Sequence, residues 1–368
     1  MQKEGNFVGK LKSKPSYTYI IDSDKILDEL KLSDIASEKV KIKPTFIVKD
    51  GNNQAAISFW VSAKRTRSYP YTRIYETLNK KNYKKITIFP VVKDEGYDGD
   101  RDYIQWDTFS ICSYLDVYTI PAYYVKAVKN PKYKNKVTSL EFDPKFLVDK
   151  IKLILETELS PSEWNNKERN SIGKLITRII EGYEKIHKET GVKFHNYDDL
   201  KSNLEVMRDA KSFKSSSQEK SSQAQDREKV TTQPKEELFG LPKGKVTLSD
   251  VSGGLYTWTV DAYYKHDNDI HLIEMKHSKK GIPGMSDIKD ALFKFHFYAN
   301  IDEIKDGTTK LIPKPTLLLS SATETTNKIK SDEHVKKVLD EAKRNGIVVI
   351  IAGSETGREE VLKQLSLL

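Results

Sequence analysis

One cysteine, seven histidines and no long apolar run set the first limits on this 368-residue chain. Cys112 has no partner, which excludes an internal disulfide framework and a cysteine metal cluster and suits a reducing, cytoplasmic setting. Set in an apolar run, it reads as a small buried side chain. The histidines form neither an HExxH nor an HxH spacing, so nothing points to zinc. The glycines make neither a P-loop nor a dinucleotide fingerprint, which leaves no sign of ATP or NAD chemistry. No stretch approaches about 18 uninterrupted apolar residues, so no membrane span is expected, and Met1–Asn6 lacks the apolar core of a signal peptide. Acid is the scarcer charge: 62 Lys and Arg against 53 Asp and Glu leave a net +9. That balance suits a polyanionic partner.

The chain divides where apolar residues run out. Residues 212–237 are rich in Ser, Gln and balanced charge and cannot bury enough surface to offset the entropy of ordering, so they read as a flexible linker. Residues 1–211 then form a basic N-terminal domain and 238–368 a C-terminal one. In the first, Lys43–Lys49 and Ala55–Val61 flank Asp50–Gln54 as a β-hairpin. A helix near 71–79 precedes a strand over 85–92, and a helix near 106–115 leads into a strand over 117–124. Helical stretches near 144–159, 161–190 and 197–209 complete a mixed α/β domain with helical additions.

Two features of that domain stand out by charge. Between Trp60 and Lys93 nine Lys or Arg face one acid, Glu76, a net of +8. Lys64, Arg65, Arg67 and Arg73 interleave with Tyr69, Tyr71 and Tyr75, residues that neutralise phosphates, read guanine edges or stack on bases; Lys64, Arg65, Arg67, Tyr69 and Arg73 are therefore the candidate DNA contacts. The bland alternative is a solvated helix and loop with tyrosines packed beneath. Asp94, Glu95, Asp98, Asp100 and Asp102 crowd the loop after a buried strand but lack the EF-hand spacing. They fit a turn and helix cap before Trp106, an ion-pair network with the basic patch, or a functional site. The strand–acid loop–helix–strand order there also hints at a second lobe built like the C-terminal one.

The strongest chemical pattern lies near the C-terminus. Trp258–Tyr264 carries Asp261, Lys265–Asp269 is a polar turn, and Ile270–Lys276 returns with Glu274 and Lys276 two apart. On a strand these two share a face, and a hairpin sets Asp261 beside them. Leu272 and Ile273 mark the strand as buried, where Glu and Lys need a reason to be. Two carboxylates are oxygen ligands for Mg²⁺, and a lysine beside them can orient or deprotonate a water. After the loop 278–284 comes a helix that Ser286 or Asp287 could cap, with Ile288, Ala291, Leu292, Phe295 and Ala299 as its apolar stripe. An apolar strand over 315–320, a helix over 333–344, an apolar strand over 347–351 and a helix over 358–367 follow. Apolar strands alternating with helices imply a sheet covered on both faces.

Asp261, then Glu274-x-Lys276, in this order of elements resembles the PD-(D/E)xK nuclease superfamily over roughly residues 238–368. Val260 stands where the superfamily often has proline. The resemblance implies a restriction-endonuclease-like C-terminal core, a mixed sheet flanked by helices, that cuts double-stranded DNA with Mg²⁺, most simply as a type II restriction enzyme. It implies Asp261, Glu274 and the carbonyl of Met275 as metal ligands and Lys276 as the residue that handles the water. A further acid from Glu236 or Glu237, or a contact from Lys289 or His296 on the helix, is open; the simpler reading of the latter two is a solvated helix edge. Cutting both strands of a palindrome implies a homodimer. Nucleases of repair, junction resolution, transposition or CRISPR-associated defence, and a DNA-binding protein without catalysis, are the alternatives.

Overall fold

The computed structural model describes residues 5–37, 43–60, 63, 68–230 and 239–367, and of residues 68, 69 and 221–230 the backbone alone. The chain forms two compact units, one of Ile26–Ser222 and the other of Met1–Lys25 with Gln223–Leu368. Both are mixed α/β. Strand β1 (Gly5–Leu11) therefore belongs with the C-terminal residues and not with the N-terminal domain expected over 1–211. Its pairing partners lie more than 200 residues away in sequence, beyond the reach of local pattern.

In the Ile26–Ser222 unit, β2 (Glu29–Lys31) pairs in parallel with β3 (Thr45–Asp50), and β3 forms a hairpin with β4 (Asn53–Phe59). Gly51 supplies the left-handed backbone of the turn at φ 58°. Helix α1 (Ser68–Leu78) crosses to β5 (Lys84–Pro90), parallel to β4. A small hairpin, β6 (Val92–Asp94) with β7 (Arg101–Tyr103), then precedes α2 (Trp106–Tyr114) and β8 (Tyr118–Ala122), parallel to β5. Buried Cys112 lies on α2, where burial pushes its thiol pKa up. A two-stranded ribbon, β9 (Tyr124–Lys129) and β10 (Val137–Phe142), stands apart from the main sheet.

Helices α3 (Pro144–Glu156), α4 (Pro161–Asn170), α5 (Ile176–Thr190), α6 (Tyr197–Glu205) and α7 (Ala210–Val230) follow. The helix expected over 161–190 is two, parted by a 3₁₀ turn at Ile172–Leu175. At Gly182 a side chain would run into the Tyr124 carbonyl, so glycine lets α5 lie against the ribbon. The flexible linker expected at 212–237 is corrected in its first part: α7 runs through it to Val230, and residues 231–237 lie outside those described. Gln, Glu, Lys, Arg and Ala are sound helix formers, and two anchors hold the helix. Phe213 packs edge-on to Trp106, and Ser217 accepts a 2.9 Å hydrogen bond from the Trp106 amide.

The other unit holds an eight-stranded mixed sheet flanked by helices. Its strands are β1, β11 (Gly244–Ser249), β12 (Leu255–Val260), β13 (Ala262–His266), β14 (Asp269–Ser278), β15 (Ile301–Asp306), β16 (Thr309–Ser321) and β17 (Val348–Ala352). Strand β1 sits between β11, parallel to it, and β15, antiparallel. Hairpin β13–β14 turns on Asp267, at φ 50°, a left-handed position Asp tolerates. Helix α8 (Met285–Tyr298) leads on, by way of β15, to β16, parallel to β14; α9 (Thr326–Ser331) and α10 (Glu333–Arg344) lead to β17, parallel to β16; α11 (Arg358–Ser366) closes the unit. Alternation along β14 sorts its side chains. Ile273 and Met275 enter an apolar cluster with Leu318, Ile350, Val361 and Leu365, while Glu274 and Lys276 turn to the opposite face, which α8 covers.

Candidate active site

Hairpin β13–β14 ends its pairing at Ala262 and Ile273. One residue before Ala262 the chain bends at Asp261 and leaves as β12 to pair with β11. Among the described residues the edge of β14 beyond Ile273 thus has no paired strand on that side. The Asp261 carboxylate takes the place of the missing carbonyl and accepts the Met275 amide at 2.8 Å. A buried amide must find an acceptor, so the bend and the carboxylate belong together.

Glu274 is fully buried. Its carboxylate accepts from Lys294 Nζ at 2.6 Å and from the Tyr298 hydroxyl at 3.2 Å. Lys276 Nζ in turn reaches Asp290 at 2.7 Å. The strand's acid pairs with the helix's base and the strand's base with the helix's acid. Asp290, Lys294 and Tyr298 are four residues apart along α8 and form one face of it. Burial pushes the Glu274 carboxyl above its ordinary pKa against the pull of Lys294, and the charge of Asp261 adds to the push. Burial alone would lower the Lys294 ammonium, yet Glu274, Asp290, Tyr298 and Asp261 hold it well above its ordinary value. The Tyr298 phenol is raised by burial and by Glu274. One electrostatic unit thus joins Asp261, Glu274, Lys276, Asp290, Lys294 and Tyr298.

The structure brings Asp261, Glu274, Met275 and Lys276 together as the sequence predicts, and it adds Asp290, Lys294 and Tyr298. These three stand at i, i+4 and i+8, the spacing of one helix face, but buried Lys289 and His296 are polar too, so spacing alone does not single the three out. Lys289 and His296 do not join them, nor do they form a solvated helix edge. Lys289 is buried in an ion pair with Asp22, and buried His296 bonds Tyr19 through Nε2 at 2.8 Å. The N-cap of α8 is Gly284, with Asp287 in the first turn. Glu236 and Glu237 lie outside the described residues.

The candidate DNA contacts fare unevenly. Lys64, Arg65 and Arg67 lie outside the described residues, as does the side chain of Tyr69. Arg73 Nη1 donates to the Phe59 carbonyl at 2.6 Å, and Tyr71 and Tyr75 are buried. Lys84 caps the end of α3 by donating to the carbonyls of Ile154, Leu155 and Thr157. Among the described residues the acidic loop forms an ion-pair network that takes in Lys93, the last lysine of the basic stretch, and Lys136 beyond it. Glu95 pairs with Lys93 and Lys136, and Asp94 accepts from His195 Nδ1 at 2.8 Å and the Gly96 amide at 2.9 Å. Gln105, with no side-chain hydrogen bond, stands at the N-cap of α2.

Among the described residues no three carboxylate, imidazole or thiol side chains stand together as a ready-made cation site. Mg²⁺ does not need one, since one or two carboxylates with water and substrate phosphates suffice. Asp261 and Glu274 fit that donor chemistry, provided Glu274 shares an oxygen now bonded to Lys294 or Tyr298. No described helix is long and apolar enough to cross a membrane. The chain matches no family model, and no curated protein or solved structure matches it at a significant level.

Proposed function

We propose that the protein is a Mg²⁺-dependent endonuclease of the PD-(D/E)xK type acting on double-stranded DNA, most simply a type II restriction enzyme. The observation that carries this reading is a fully buried glutamate set with a lysine against a bend aspartate at the open end of a hairpin. Burying such charge is costly and calls for a use. Asp261, Glu274 and the Met275 carbonyl would hold the metal, which when bound supplies Lewis-acid stabilisation of the charge that develops at the scissile phosphate. Lys276, fixed by Asp290, donates to the attacking water and orients it toward phosphorus. Lys294 and Tyr298 hold the Glu274 carboxylate in its place. One such site per chain makes cutting of both strands the work of two copies.

Incubation of DNA with Mg²⁺ or EDTA tests this directly. Discrete Mg²⁺-dependent fragments, lost in both Glu274→Ala and Lys276→Ala, are the expected outcome. A requirement for branched DNA or for an activator would move the activity to repair, transposition or CRISPR-associated defence. A second reading has its own observation: both Glu274 oxygens already have protein donors, so the crossed ion pairs suffice as a latch between β14 and α8. In that case wild type and folded variants retard DNA alike and none cuts it.

A further inference from the structure

The ribbon β9–β10 carries a concentrated positive charge. From Val117 to Leu140 the chain holds five lysines, Lys126, Lys129, Lys132, Lys134 and Lys136, and no acid. Lys126 pairs with Glu141 and Lys136 with Glu95. Among the described residues Lys129, Lys132 and Lys134 enter no ion pair, and all three are exposed. Between them Tyr133 stands 54% exposed, and Val128 is exposed to the same extent on the adjoining strand.

This tip is held in shape. The Asn130 amide donates to the Lys136 carbonyl at 2.8 Å, and the Asn130 side chain accepts from the amides of Lys132 and Tyr133. From the side, the acidic loop clamps it. Asp98 exchanges bonds with Asn135, accepting its amide at 2.8 Å and donating its own at 3.0 Å, and Glu95 takes Lys136. Glu95 and Asp98 thereby spend hydrogen bonds on the base of the turn, while the three unpaired ammonium groups stay in solvent. Three like charges carried on one short turn concentrate positive potential there, which a row of opposite charge complements. The phosphate backbone of a duplex is such a row.

We propose that the tip of the β9–β10 ribbon is a contact surface for the phosphate backbone of double-stranded DNA, made by Lys129, Lys132 and Lys134 with Tyr133 donating alongside them. The surface reads no sequence; it positions the duplex. It rests on the nuclease reading only for the choice of duplex DNA as the polyanion.

The test is fluorescence anisotropy with a short labelled duplex, in EDTA, across a salt series, on the full chain. The Lys129→Gln/Lys132→Gln/Lys134→Gln triple variant should bind about tenfold or more weakly and lose about three from the slope of log affinity against log salt. Tyr133→Phe should show a smaller loss. A control triple, Lys328→Gln/Lys330→Gln/Lys363→Gln, removes equal charge from exposed helical positions in the other unit and should bind nearly as wild type. Equal loss in both triples would reduce the effect to net charge and overturn the proposal, as would an unchanged ribbon triple. Tighter binding of a single strand than of the duplex overturns it too. Wild type that binds no duplex at all sinks the nuclease reading as well; a ribbon triple that binds normally, with wild-type cleavage, sinks the ribbon alone.

Discussion

In the Ile26–Ser222 unit the hairpin β3–β4 leads through α1 to β5, parallel to β4, and through α2 to β8, parallel to β5. In the other unit β13–β14 leads through α8 to β16 and through α9 and α10 to β17, with the same pairings. The succession repeats, but the residues at its open end do not. One step past the last hairpin pair stand Asp261 and Glu274 in one unit and Pro44 and Phe59 in the other. Phe59 stacks on Phe46 and Phe142, where Glu274 meets Lys294. The helix after the hairpin buries Tyr71, Ile74, Tyr75 and Leu78 in one unit, and in the other it turns buried Asp290 and Tyr298 and half-buried Lys294 to the strand. A shared frame therefore does not carry a shared chemistry; the side chains at one end of it do.

Making the charged unit resemble the apolar one breaks the comparison most sharply. Glu274→Leu leaves the half-buried Lys294 ammonium without its main partner and should cost about 3 kcal/mol, read by calorimetric melting. Glu274→Leu/Lys294→Leu should recover most of that loss while DNA cleavage stays absent. Should the double variant recover stability and still cut DNA, the catalytic role of Glu274 is wrong.

In the apolar unit the corresponding damage is a cavity. Ile57→Ala on β4, fully buried, should cost about 2 to 5 kcal/mol with no charge to rescue it. A third difference is pH. Burial lowers the His296 pKa from 6.5 to about 4, against the Leu292 and Phe293 carbonyls that favour its charged form. The neutral ring is the native form, so its stabilisation is complete above about 6.5 and is lost as pH falls toward 4, of the order of 3 kcal/mol in full. His296→Gln should flatten that limb of the stability–pH curve for its own unit. The smallest effect is Lys84→Met, which uncaps α3 and should cost about 1 to 2 kcal/mol, visible as a small fall in melting temperature.

Much of the charged unit was legible because its strands are short apolar runs and its hairpin turns on Asp267 and Asn268. Glu274 and Lys276 face one way by alternation alone, and the strand is buried as Leu272 and Ile273 suggested. The helix face was not legible. Nearly every residue from Ile288 to Tyr298 is buried, so no solvated side marks which polar residues look toward the strand. Lys289 and His296 look instead toward the segment that follows β1, a partner set by the fold and not by spacing. The Ser/Gln-rich stretch misled for a related reason: two residues, Phe213 and Ser217, anchor a helix whose composition shows no apolar stripe.

Strand β1 has a consequence for how the protein is made. Its seven residues leave the ribosome well before their neighbours β11 and β15, which begin only at Gly244 and Ile301. At typical rates of synthesis that interval is some tens of seconds. During it the whole Ile26–Ser222 unit can fold, while the leading strand waits with its backbone groups open to any passing sheet edge. During synthesis the chain is thus a folded Ile26–Ser222 unit preceded by an unpaired strand, and shielding of that strand becomes part of its assembly.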